Sequence, residues 1–264
     1  MADSNYYDRF ADNQNPQQPQ QTRKEKVSAD GAAFSLVKVF GYMFMGLLIT
    51  TAVALGLGAF FNYVLMKDTP LTDFESNVGL VMIALLIISA IGIIVLSFVV
   101  PITVARGKHS VLVPAIIYTV LMGIMLSTIA AFIPWYLLGI TFGITCAIFG
   151  VMTLIAFLNK GQMPGLAIAA IGLFVGAGII ALFMWILMLL GQNVTVLYWI
   201  VSLATFAAMM LITMFDLARI KTIAKNGEMT NNLSLYCAFI LYNDFIYILL
   251  RVLRIVIILF GNKK

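Results

Sequence analysis

The chain has 264 residues and a net charge of +5, with 62% hydrophobic residues against only 10% charged ones. A soluble domain could not cover its surface with so little charge, so lipid is the solvent for most of this protein. In that setting a basic excess marks the loops on one side of a membrane, and no nucleic-acid partner is expected.

Residues 1–31 are polar and include the run from Asn13 to Gln21, built only of Asn, Gln and Pro. Such a stretch buries too little apolar area to offset chain entropy, and it reads as a disordered cytoplasmic tail with no cleavable signal peptide. The remaining part, 32–264, contains seven apolar stretches at about 34–62, 78–104, 111–133, 135–158, 165–190, 194–217 and 233–260. Each reaches the ~20 residues that cross a bilayer. The expected fold is therefore an all-α membrane protein, a seven-transmembrane-helix bundle. Pro134 and Trp135 mark one short join, Gly161, Pro164 and Gly165 the next, and Gly191, Gln192 and Asn193 a third.

Basic residues fall on alternate sides. Arg9, Arg23, Lys24 and Lys26 lie in the tail, Arg106 and Lys108 in the second loop, Lys160 in the fourth, and Arg219, Lys221 and Lys225 in the sixth. The opposite side has Lys67, outweighed by Asp68, Asp73 and Glu75, and then Lys263 and Lys264. This bias places the N-terminus in the cytoplasm. Glycine pairs at Gly139/Gly143 and Gly172/Gly176 have the spacing of close helix packing. Cys146 and Cys237 lack any CxxC or histidine neighbour and read as small packing residues, while the lone His109 sits in a basic loop.

Of eleven acidic residues, only Asp216 and Asp244 lie in or beside an apolar stretch. A carboxylate in hydrocarbon costs several kcal/mol unless paired, protonated or wetted, so each marks a functional site by default. The last stretch is unusual in its polarity. At 100° per residue, Tyr236, Asn243, Asp244, Tyr247, Arg251 and Arg254 share one face, which cannot turn to lipid and calls for a central, polar seventh helix. Arg251 is two turns from Asp244, ~10 Å along the axis, so the partner of Asp244 must come from another helix or from water. Asp216 and Arg106 are the charged candidates. Asp216 has a structural reading too, as a helix-end acid neutralised by Arg219 three residues on. If the two acids meet, they cannot both ionise comfortably and would hold one proton between them. Such a pair latches when protonated and repels when ionised, and it then offers the hard oxygen ligands that Ca²⁺ prefers.

At these motifs the chain resembles the Bax inhibitor-1 family. Phe215-Asp216 with Ile220 is similar to its sixth-span element, and Leu241-Tyr242-Asn243-Asp244-Phe245-Ile246 followed by Leu253-Arg254 to its seventh-span signature. Ile117-Tyr118 with Gly123-Ile124-Met125-Leu126-Ser127 is similar to an element of its third span. The likeness covers the chain from about residue 34 onward. It implies a seventh helix wrapped by six others, a di-aspartyl pH sensor made by Asp216 and Asp244, and a calcium leak across the bounding membrane. It further implies that a basic residue ending the second helix, here Arg106, pairs with Asp216. Eukaryotic members sit in intracellular membranes and restrain apoptosis; bacterial ones sit in the plasma membrane, where some modulate a membrane protease. A bacterial plasma-membrane protein is the expectation here. The chain departs from the family in Ala218, where a Gln is common, in the extra charge of Arg251, in its Gln-rich tail and in a long connection between spans six and seven.

Three functions compete. The first is a pH-sensitive calcium leak gated at Asp216 and Asp244, with Ca²⁺ a transient ligand and no resident cofactor. The second is a non-catalytic regulator of a membrane protease or other membrane protein. The third is an intramembrane aspartyl protease, which two aspartates on adjacent spans would suit. The Gly-x-Gly-Asp context of such proteases is missing, because Tyr242-Asn243 precedes Asp244, and the expectation is a protein without enzymatic activity.

Overall fold

A computed structural model describes residues 29–65, 78–106, 110–159, 164–191 and 194–260. Most of the tail, the acidic loop carrying Lys67, Asp68, Asp73 and Glu75, and Lys108, His109, Lys160, Lys263 and Lys264 lie outside the described residues. The described chain forms seven helices: α1 (Ala29–Leu65), α2 (Val78–Arg106), α3 (Leu112–Phe132), α4 (Trp135–Leu158), α5 (Pro164–Leu189), α6 (Thr195–Lys225) and α7 (Asn231–Phe260).

Helix is the form these sequences must take in hydrocarbon, where each unpaired backbone amide costs several kcal/mol and only an intrasegment ladder satisfies them all. Polar side chains follow the same economy. In α4, Thr141, Thr145 and Thr153 each return the hydroxyl to the carbonyl one turn back, at 2.7, 2.8 and 2.8 Å. By length and composition α1 to α6 can each cross a bilayer. The remaining helix, α7, carries Asp244, Arg251 and Arg254 within three turns.

Packing is uneven. Helix α1 lies along α3 over much of its length, α5 rests on α6, and α7 touches α1, α2, α3, α4 and α6. The core follows from that placement. Tyr118 of α3 meets Phe239 and Tyr242 of α7 edge-on, with centroids 4.8 and 6.2 Å apart. On the other flank Phe245 takes Phe142 and Phe149 of α4 at 5.7 and 5.6 Å. Large apolar side chains on the outer helices face outward instead, with Phe98 of α2 67% and Ile168 of α5 71% exposed. Broad apolar exposure of this kind is stable only against lipid.

The glycines that allow close approach are not those at GxxxG spacing. A Cβ built on Gly139, Gly143, Gly172 or Gly176 would meet no described atom within 4 Å. A Cβ on Gly123 of α3 would lie 2.7 Å from Val53 Cβ and 2.9 Å from the Thr50 carbonyl oxygen of α1; one on Gly58 would lie 2.9 Å from Ala130 Cβ. The α1–α3 contact therefore depends on isolated glycines, each opposite a bulky or backbone neighbour. Spacing within one helix does not reveal which face meets a partner.

The connection between α6 and α7 also differs from its sequence reading. Helix α6 runs on from the apolar stretch to Lys225, so only residues 226–230 lie between the two helices. Gly227 ends it in the left-handed region at φ 71°. The Glu228 N–H reaches the Ile223 carbonyl at 3.4 Å and the Gly227 N–H the Ala224 carbonyl at 3.3 Å, which is the Schellman arrangement. Thr230 then starts α7, its Oγ1 accepting the Leu233 N–H at 3.2 Å.

Candidate functional site

A tight turn between α6 and α7 makes them antiparallel neighbours, and the side chains that meet across their seam define the site. Arg251 of α7 lies opposite Ser202 and Thr205 of α6. Continued in register, that pairing puts Asp244 opposite residues 209–212, less than a turn from Thr213, and sets Asp216 one to two turns away, ~6–10 Å along the axis. Other interactions agree with this register. Thr213 and Asp216 are the groups that act on the Asp244 carboxyl, and Asp216 and Arg219 act on the buried Cys237, two turns earlier on α7. Asp216 thus lies along the same seam as Cys237 and Asp244, near enough for its charge to bear on both.

Both aspartates are partly buried, and Asp244 Oδ2 is closed off from solvent with no hydrogen-bond partner among the described residues. Asn243 Oδ1 beside it is in the same condition. Thr213 Oγ1 lies 3.0 Å from the Met209 carbonyl one turn back. The cation acting on Asp216 is Arg219, one turn on. Arg106 stands exposed at the end of α2, and the structure does not bring it to Asp216 in an ion pair.

The other polar residues of α7 fan out along the seam. Arg251 donates to Ser202 Oγ at 3.3 Å and to Thr205 Oγ1 at 3.1 Å. Arg254 stacks on the Tyr198 ring of α6, 4.8 Å from its centroid. Tyr236 is partly buried, and Tyr247 is 45% exposed and lies near Tyr118. Arg251 and Arg254 therefore both address α6. For metal binding the donor set is thin: no group of three or more His, Cys, Asp or Glu residues converges among the described residues. Two carboxylates fall well short of the six to eight oxygens that hold Ca²⁺.

Two anchors escape a reading by sequence. Lys221 looks like a loop cation, yet it is buried in α6 and its Nζ donates to the carbonyls of Ala156, Phe157 and Asn159, at 3.3, 2.6 and 2.6 Å. It caps α4, placing a positive charge where the helix leaves carbonyls unpaired. The second anchor is the Tyr242 phenol, 2.6 Å from Thr50 Oγ1 of α1, which itself lies 3.0 Å from the Thr119 carbonyl of α3. With the Thr50 proton on that carbonyl, Tyr242 donates. These bonds fix α6 and α7 to their neighbours on either side of the aspartates.

Long apolar helices with outward apolar faces and a few buried polar contacts between them make this a multi-pass integral membrane protein in contact with the lipid bilayer. The family model described as inhibitor of apoptosis-promoting Bax1 matches residues 34–263. The chain belongs to the Bax inhibitor-1 family. It is 26% identical over 249 residues to an uncharacterized protein of Rickettsia prowazekii (strain Madrid E), a match that covers 92% of this chain and 95% of the relative. No solved structure matches the chain.

Proposed function

We propose that the protein is a pH-sensitive cation leak, with Ca²⁺ among its ions and Asp216 and Asp244 as the gate. The observation that carries this reading is the Asp244 carboxyl in the α6–α7 seam, whose Oδ2 is closed off and has no hydrogen-bond partner among the described residues. Ionised together, it and Asp216 repel, whereas one proton held between them removes the repulsion. The sign follows. At low pH the pair is protonated and the seam is shut; as pH rises the proton leaves, and the carboxylates push α6 and α7 apart. The opened pair then presents hard oxygens to a hydrated Ca²⁺ as a passing ligand, not a resident site. Topologically the reading takes all seven helices as spans, with α7 inside the bundle and the N-terminus cytoplasmic in a bacterial plasma membrane. It involves no enzymatic step.

The test is flux from calcium-loaded vesicles holding the reconstituted full chain, compared between about pH 6 and about pH 8. Efflux should rise with pH in the wild type and lose its pH dependence in Asp244→Asn, which keeps the shape and removes the charge. Absence of pH-dependent flux in the wild type would overturn the leak and favour a non-catalytic regulator of another membrane protein.

A further inference from the structure

The far end of the α6–α7 seam holds two guanidiniums that the aspartates do not use. Arg251 spends two of its five N–H donors on the neutral hydroxyls of Ser202 and Thr205, and Arg254 lies over the Tyr198 ring. Among the described residues neither is within salt-bridge distance of a carboxylate. Arginine stays charged in any protein setting, so two positive charges sit here with donors to spare. Between them lies a cavity of about 60 Å³, lined by Tyr198, Trp199, Ser202, Phe206, Arg251 and Arg254 among others. Tyr198 lines the cavity, and its hydroxyl is buried with no hydrogen-bond partner among the described residues. Ser202 accepts from Arg251 and keeps its own proton to give.

Such a donor set suits one tetrahedral oxyanion, because planar guanidinium forks match pairs of phosphate oxygens. Depth identifies the source. Tyr198 is in the first turn of α6, and Arg254 is six residues, ~9 Å, before α7 ends at Phe260. That is the interfacial zone where headgroups lie and where Trp and Tyr concentrate. The outward wall of the cavity is apolar, with Leu203 70%, Ile255 40% and Ile258 41% exposed, so it offers a track for acyl chains. We propose that this cavity binds the phosphodiester of a membrane lipid, held by Arg251 and Arg254 and by the Tyr198 hydroxyl. The site is separate from Asp216 and Asp244 and does not depend on their role.

The full chain, stripped of lipid in a neutral detergent, is titrated with short-chain phosphatidylglycerol, with diacylglycerol of the same chain length and with inorganic phosphate, and adducts are counted by native mass spectrometry. One saturable phosphatidylglycerol adduct is expected and none with diacylglycerol. Arg251→Gln and Arg254→Gln should each weaken it about tenfold or more. Tyr198→Phe, which leaves both charges and the ring in place, should weaken it about threefold and keeps the test valid if an arginine variant fails to fold. Equal affinity in wild type and in Tyr198→Phe and the arginine variants overturns the site. Displacement of the lipid by an equal concentration of inorganic phosphate overturns the lipid assignment in favour of a free anion.

Discussion

Thr213 has a single hydroxyl proton, and the Met209 carbonyl competes for it with the Asp244 carboxyl. While that proton points to Met209, Thr213 can only accept, which suits a protonated Asp244. Once Asp244 ionises, the same hydroxyl can swing round and donate to it, and a hydrogen bond to a charged group is the stronger of the two. Thr213→Val keeps the shape and removes this stabilisation of the ionised state. Opening should then require a higher pH, by about one unit, in the same vesicle assay. An unchanged pH profile would remove Thr213 from the mechanism. Legibility in the sequence is uneven at this scale. Asp216 and Asp244 stand out because acids in apolar stretches are so rare. Thr213 does not, since hydroxyls that bond their own helix are scattered throughout the chain. Tyr242 sits one motif position from Asn243, yet its partner Thr50 is 192 residues away, and no local pattern records that pairing.

Between elements, the decisive contacts are small in number and specific in geometry. Gly123→Ala would drive a methyl group into Val53 and into the α1 backbone, which cannot yield as a flexible side chain can. Thermal unfolding in detergent should show a loss of about 1–3 kcal/mol, the usual cost of overpacking. By contrast Gly139→Ala meets open space and should be close to neutral in the same measurement. Lys221→Met removes the cap of α4 while keeping most of the apolar stem, leaving carbonyls of Ala156, Phe157 and Asn159 without that donor. A loss of about 1–3 kcal/mol is expected there too, from unsatisfied buried acceptors. Hydropathy located the apolar stretches because lipid imposes a length and a composition on each helix. It could not show that α6 continues to Lys225, because the added turns are amphipathic and their polar groups are satisfied by α4 and by the Schellman turn. Nor could glycine spacing show which faces meet, since that depends on partners far off in sequence.

At the scale of the whole molecule, α7 is the helix that α1, α2, α3, α4 and α6 share, and α5 is held chiefly through α6. A change in the α6–α7 seam is thus felt by the bundle on one side and by a peripheral helix on the other. On the reading proposed above, repulsion within the carboxyl pair would act between α6, which carries α5, and α7, which Tyr242 and the Tyr118 and Phe245 ring contacts hold in the core. The proposition beneath all of this is that Asp216 and Asp244 titrate as one unit. Infrared pH-difference spectra of the reconstituted protein read carboxyl protonation directly. A single protonated-carboxyl band should vanish as pH rises from about 6 to about 8, and either Asp216→Asn or Asp244→Asn alone should abolish it. Two bands titrating independently, with each variant losing only its own, would contradict the account.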